Sequence, residues 1–190
     1  KRNGKHIITT YLEHSSVTAP VTVLQNLGYE VDYVDILENG QVDLEHLKEL
    51  LREDTILVSI CYVDSEVGTC QPIDNIGVLL KNYPNCHFHV DATQAIGKVD
   101  VNLENTDLVT FSAHKIYGLC GFGVLIIKNG IRLQPQIHGG LSNSPYRSGT
   151  PMLSFVVSLE KALELVLLNI KFHYDYVSSL NEFFRENISE

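Results

Sequence analysis

The sequence predicts an α/β domain: a mostly parallel mixed sheet between helices, with one antiparallel edge strand. Three observations predict it. Apolar, β-rich runs alternate with helical patterns in the order β-α-β-α-β-α-β-β-β-α-α, as parallel strands joined by crossover helices require. The run Thr55-Ile56-Leu57-Val58-Ser59-Ile60 is nearly continuously apolar, as a strand covered on both faces must be. The last two strand patterns lie close together in sequence, which suits an antiparallel pair at one edge.

Each element follows from its residues. His6-Ile7-Ile8-Thr9-Thr10 reads as the first strand. Residues 17–27 carry apolar side chains at helical spacing and stop at Gly28, a helix terminator. Residues 29–34 form the second strand. Asn39-Gly40 is a turn, and Asp43 caps a helix over 44–51 by accepting from its unpaired first amides. Residues 55–60 are the third strand. Pro72 opens a helix that runs to about residue 83, because its missing N–H costs nothing in a first turn. Strands follow at 86–91, 108–112 and 123–128. An apolar helix covers 153–168 and a second helix 175–187. Residues 1–152 are expected to form the sheet-bearing domain. Helices in 153–190 have no following sheet, and read as a connection to something the chain does not contain.

Composition narrows the function. The 190 residues are 44% hydrophobic and 19% charged, enough for one domain with a real core. The net charge of -9 opposes attraction to nucleic acid or to an anionic membrane face. No apolar run approaches the roughly 18 residues of a spanning helix, and the basic start Lys1-Arg2-Asn3-Gly4-Lys5 leads into a strand rather than a secretory core. These features point to the cytoplasm. Cys61, Cys70, Cys86 and Cys120 form no Cys-x-x-Cys pair and sit in or beside apolar runs, so buried, reduced thiols are expected. His87, His89 and Asp91 alternate along one strand face as metal ligands would. The sequence places no further ligand beside them, and no metal is expected. The glycines within 118–123 and 139–140 lack the Gly-Lys-Ser/Thr ending of a phosphate loop and read as tight turns.

The chemistry centres on Lys115, in Phe111-Ser112-Ala113-His114-Lys115-Ile116-Tyr117-Gly118, directly after a strand. Upstream, His89-Val90-Asp91-Ala92-Thr93-Gln94 is a second strand followed by a polar turn. A lysine amine forms a Schiff base with an aldehyde cofactor, and a carboxylate at a strand end keeps a pyridinium nitrogen protonated. Together they are the chemistry of pyridoxal phosphate. Open α/β sheets bind ligands at the carboxyl ends of their strands. Glu66 follows the third strand, Asp91 ends the fourth, and Ser112 to Lys115 end the fifth. Neighbouring strand ends ~4.8 Å apart can converge on one small cofactor. Plainer roles exist for each residue: a solvated charge for Lys115, a cap for Asp91, a surface or core histidine for His14, and for Thr150 a cap on the helix beginning near Pro151.

Several segments carry a family resemblance. They are Glu13-His14-Ser15-Ser16-Val17, Asp54-Thr55-Ile56-Leu57-Val58-Ser59-Ile60, Glu66-Val67-Gly68-Thr69-Cys70-Gln71-Pro72-Ile73, His89 through Lys98, Ser112-Ala113-His114-Lys115-Ile116-Tyr117-Gly118 and Tyr146-Arg147-Ser148-Gly149-Thr150. In this order and spacing, from about His6 to Leu165, the chain resembles the cysteine desulfurases among the class V aminotransferase-like pyridoxal phosphate enzymes. The resemblance implies the large domain of the aspartate-aminotransferase-like fold, incomplete at its amino terminus. It implies that Lys115 carries pyridoxal 5'-phosphate, that Asp91 pairs with the pyridine nitrogen, and that His14 stacks on the ring and shuttles protons. It also implies that Gln94 and the residue at position 65 bind the phenolic oxygen, and that Ser112 and His114 contact the phosphate. Thr150 would reach the phosphate of a neighbouring subunit, which implies a homodimer. The implied reaction takes sulfur from L-cysteine, leaving alanine and a protein persulfide. Acceptors would be an iron-sulfur scaffold or a tRNA thiolation enzyme, with no direct binding of nucleic acid or membrane.

The chain also departs from the family pattern. Asp64-Ser65-Glu66 stands where the family has Asn-Asn-Glu. Ser65 is shorter than Asn, and an inward Asp64 would place a negative charge near the phenolic oxygen. Gly118-Leu119-Cys120-Gly121 replaces Gly-Pro-Lys-Gly, and Gly139-Gly140-Leu141-Ser142-Asn143-Ser144-Pro145 replaces a more charged loop. The family's phosphate-binding amino-terminal segment has no counterpart in the chain. Nor does its small domain, which carries the substrate-carboxylate arginine and the persulfide cysteine, so the isolated chain is expected to be inactive. Two other readings stay open: a non-catalytic class V domain acting in dimerisation or protein binding, and a related lyase acting on selenocysteine.

Overall fold

The computed structural model describes residues 4–140 and 144–188. Its elements are β1 (His6–Thr9), α1 (Ser15–Asn26), β2 (Glu30–Tyr33), α2 (Leu44–Leu50), β3 (Thr55–Cys61), α3 (Ile73–Leu80), β4 (His87–Asp91), β5 (Leu108–Ser112), a 3-10 turn (Ala113–Ile116), β6 (Gly123–Ile127), α4 (Leu153–Leu168) and α5 (Ile170–Ile188). The sheet runs in the order β2-β1-β3-β4-β5-β6. The first five strands are parallel, and β6 lies antiparallel on β5. This is the expected mixed sheet with its antiparallel edge.

The apolar runs become the core. Ile8, Val58, Ile60, Phe88, Val90 and Val109 are buried in the central strands. From the helices, Leu47 and Ile76 close over them. In α3 the buried residues Ile73, Ile76, Gly77 and Leu80 fall at helical spacing. Asp43 caps α2 as its position predicts, its Oδ1 accepting the Glu45 and His46 amides at 2.9 and 3.2 Å.

The histidines expected on one face of β4 are partly absorbed by the sheet itself. His89 bridges three strands: Nδ1 lies 2.8 Å from Ser59 Oγ on β3, and Nε2 lies 2.9 Å from Thr110 Oγ1 on β5. Burial lowers its pKa, so it is neutral in this position. His6 makes a similar bridge from β1, to Thr55 Oγ1 at 2.8 Å and Asp32 Oδ2 at 3.0 Å.

Two expectations change. The last helix begins at Ile170, not near 175. Asn169 turns the chain without a loop: its side-chain amide donates to the Leu165 carbonyl, and its own carbonyl accepts the His173 amide. With no glycine or proline there, the helix restarts at once. Of the four thiols, only Cys61 and Cys86 are buried, while Cys70 and Cys120 are exposed. The apolar run that flanks Cys70 belongs to a surface turn closed by the Val63–Cys70 bridge, and Cys120 lies in the turn entering β6. Cys61, Cys70 and Cys120 are free. Among the described residues, no helix is long and apolar enough to cross a membrane.

Candidate active site

The strand ends place the polar residues on one rim. β4 ends at Asp91, which is level with Cys61 on β3 and Thr110 on β5. Asp91 is buried, and its Oδ1 accepts the Thr93 amide at 2.9 Å. That bond shapes the turn, so Asp91 does act as a local cap. Its second oxygen makes no hydrogen bond among the described residues and remains available to a ligand. The turn carries Gln94 onto the same rim. Lys98 Nζ lies 3.0 Å from Gln94 Oε1 and 3.3 Å from the Thr93 carbonyl. An ammonium only donates, so the Gln94 oxygen must face Lys98, which leaves the amide N–H groups free to donate elsewhere.

β5 delivers the lysine. Ser112 is half-buried, Ala113 and Ile116 are buried, and His114 and Lys115 between them are exposed. The two apolar residues anchor the 3-10 turn and direct the basic pair outward. Tyr117 then takes the left-handed conformation with φ 68°, and the Gly118 amide closes onto the Ala113 carbonyl at 2.9 Å. Burial, then the nearby positive charge of Lys115, lowers the Lys98 pKa. Lys98 thus holds Gln94 and lies within the electrostatic reach of Lys115. The Lys115 amine has no ion pair or hydrogen bond among the described residues.

Strand order reverses between β1 and β3, and such a switch point opens a crevice at the carboxyl ends. Glu13 and His14 leave β1 there. His14 caps α1, its Nδ1 accepting the Ser16 amide at 3.2 Å. With Nδ1 so engaged, the neutral ring carries its proton on Nε2. The imidazole is exposed above the strand ends. Glu13 is buried in the crevice, its Oε1 accepting the Cys61 amide at 2.6 Å and the Thr10 hydroxyl at 3.3 Å. Burial pushes this carboxyl up to about 7; the nearby charge of Asp91 adds to the rise, and the Cys61 amide opposes it. Burial and the acids Glu13, Asp64 and Asp91 push the Cys61 thiol up as well, so it stays un-ionised and a poor nucleophile.

Asp64 does not intrude on the site as a bare inward charge. Its Oδ1 accepts the Glu66 and Val67 amides at 3.1 and 2.5 Å, closing the turn after β3. Ser65 is exposed on that turn and makes no hydrogen bond among the described residues. Thr150 is exposed two residues before the Met152 cap of α4, so it does not cap that helix. It makes no hydrogen bond to the other candidate residues among the described residues. Leu141, Ser142 and Asn143 of the altered glycine loop lie outside the described residues.

The rim thus gathers Asp91, Gln94, Ser112, His114, Lys115 and His14, with Ser65 and Thr150 apart. A free carboxylate oxygen, an amide donor, an unpaired amine and a hydroxyl–imidazole pair on neighbouring turns fit an aromatic aldehyde that bears a phosphate. Sequence reasoning assigned no role to Glu13 or Lys98, although both lie in the quoted motifs. The available signal was an ionisable residue directly before His14, and a lysine one helical turn after Gln94.

The aminotransferase class-V family model matches residues 1–190. A cysteine desulfurase IscS of Dictyoglomus turgidum is 38% identical over 98% of the chain and 48% of its own length. A protein of the same name from Clostridium botulinum is 41% identical over 95% of the chain and 46% of its own length. A solved NifS-like protein superposes with a TM-score of 0.86 at 37% identity, over 90% of this chain and 48% of that one. The chain spans about half the length of the curated relatives it matches.

Proposed function

The chain belongs to the class-V aminotransferase family, and from that premise we propose that the protein carrying it is a pyridoxal 5'-phosphate-dependent cysteine desulfurase. It converts L-cysteine to L-alanine, breaking the C–S bond and leaving the sulfur on a protein cysteine thiolate as a persulfide. The names of the relatives support this reading. The observation that carries it is the placing of Asp91 and Lys115 at the carboxyl ends of adjacent parallel strands.

When bound, the cofactor supplies an electron sink for charge developing at the substrate α-carbon. The chain's residues do the rest. The Lys115 amine would hold the cofactor's aldehyde carbon and, once released, would be the base placed to take the substrate α-proton. Asp91 holds the proton on the ring nitrogen through its free oxygen. Gln94, its oxygen turned toward Lys98, would donate from its amide to the phenolic oxygen; Ser65, exposed on the β3 turn, would join it only if that turn closed inward. Ser112 and His114 donate to the phosphate. His14 would cover the ring face, with its Nε2–H able to donate toward the substrate sulfur.

A homodimer in which Thr150 reaches the neighbouring subunit's phosphate belongs to the same reading. So does delivery of sulfur to an iron-sulfur scaffold or a tRNA thiolation enzyme. Free thiols at Cys61, Cys70 and Cys120 suit a reducing, cytoplasmic setting. The test is alanine release from L-cysteine by the whole protein that carries this chain, loaded with pyridoxal phosphate. Turnover that falls at least ~1000-fold in Lys115→Ala supports the reading, since covalent attachment is lost with the amine. Undiminished turnover in that variant overturns it.

A further inference from the structure

Glu13 sits at the junction of three strand ends, and the reaction as outlined does not use it. Its side chain is 7% exposed. Oε1 is engaged by the Cys61 amide and the Thr10 hydroxyl, while Oε2 is buried without a hydrogen-bond partner. The Thr10 hydroxyl in turn accepts the Leu12 amide at 3.0 Å. The short loop from β1 to His14 is thus folded around this carboxyl and fastened to the end of β3. The titratable groups facing Glu13 are Asp91 from β4 and the Cys61 thiol from β3. Asp64, in the turn after β3, lies beyond that thiol.

Resting on the reading above, we propose that Glu13 is a positioning residue of the cofactor site: it fastens His14 over the strand ends and sets, by its own protonation, the charge beside Asp91. Two carboxyls at one buried rim do not both ionise without cost. They are unequal here. Asp91 receives the Thr93 amide and would face a ring cation, whereas Glu13 has an orphaned oxygen in the interior. Glu13 therefore holds its proton up to about 7 and ionises above it, the member of an unequal carboxyl pair that has the poorer environment for charge. When Glu13 does ionise, a second negative charge stands near Asp91. That charge favours protonated, cationic forms of the bound cofactor.

The test compares the full chain with Glu13→Gln and Glu13→Ala, each loaded with pyridoxal phosphate. The readout is the pH midpoint of the visible band of the Lys115-bound cofactor, measured without substrate. Gln preserves the acceptor for the Cys61 amide but carries no titrating charge. It is expected to bind cofactor within about threefold of the parent and to lower the midpoint by about half a pH unit or more. Glu13→Ala is expected to weaken cofactor binding about tenfold or more, because the His14 loop is released. A midpoint in Glu13→Gln within about 0.1 unit of the parent overturns the proposal, whatever becomes of Glu13→Ala. Failure of the functional reading looks different: the parent then shows no band, or Lys115→Ala keeps it.

Discussion

Asp91 and Glu13 show how two acids one strand apart acquire different chemistry. Asp91 ends β4 with one oxygen tied to Thr93 and the other open to a ligand. Glu13 is buried with one oxygen unpartnered. Its folded-state pKa of about 7 lies above the ordinary 4.5. Between those values the folded protein holds a proton that the unfolded chain has released, so stability falls as pH rises through about 7. The full effect is about 3 kcal/mol. Chemical denaturation of parent and Glu13→Gln at pH 5 and pH 8 should show the parent losing stability relative to the variant at the higher pH. Parallel changes in the two proteins would mean that Glu13 does not titrate. The sequence could not announce this behaviour. A glutamate beside a histidine reads as an exposed helix-start residue, and only the pairing of β1 with β3 reveals that it is enclosed.

The elements were legible where one physical rule dominates. The apolar run of β3, the Asp43 cap of α2 and the Gly28 stop of α1 each follow from local chemistry, and each appears within a residue or two of its expected place. Rules that need partners were harder to read. Cys70 and Cys120 look internal by their neighbours yet lie on surface turns. The restart at Ile170 depends on how one asparagine bonds across a helix end. The turn after β4 shows the cost of close packing between elements. Gly97 has φ +74°, and a Cβ there would meet Val166 Cγ2 of α4 at 2.6 Å. Gly97→Ala must therefore strain its backbone and push α4 away. A loss of about 2 kcal/mol is expected, with weaker cofactor retention because Gln94 and Lys98 share this turn. Unchanged denaturation would mean that α4 moves freely.

At the scale of the molecule, the sheet does two things at once. Its parallel strands bury the core, and their shared direction brings every carboxyl end to one rim. Hence residues as distant in sequence as His14, Asp91 and Lys115 all follow strand ends on that rim. That convergence was legible from the order of elements, because parallel strands leave no other edge for the turns that carry chemistry. The site's finer bonds were not. Asp64 closing its own turn and Lys98 orienting Gln94 depend on side-chain directions that motif spacing does not encode. The same holds for the outer surface. α5 buries no residue, and Phe172, Phe183 and Phe184 stand exposed along it. The most direct test of the central claim is borohydride reduction of the full chain after incubation with pyridoxal phosphate, followed by peptide mapping. The account predicts one pyridoxyl-modified lysine, Lys115, with markedly less modification at the same cofactor concentration in Asp91→Ala. Modification confined to another lysine, or unaffected by loss of Asp91, would contradict it.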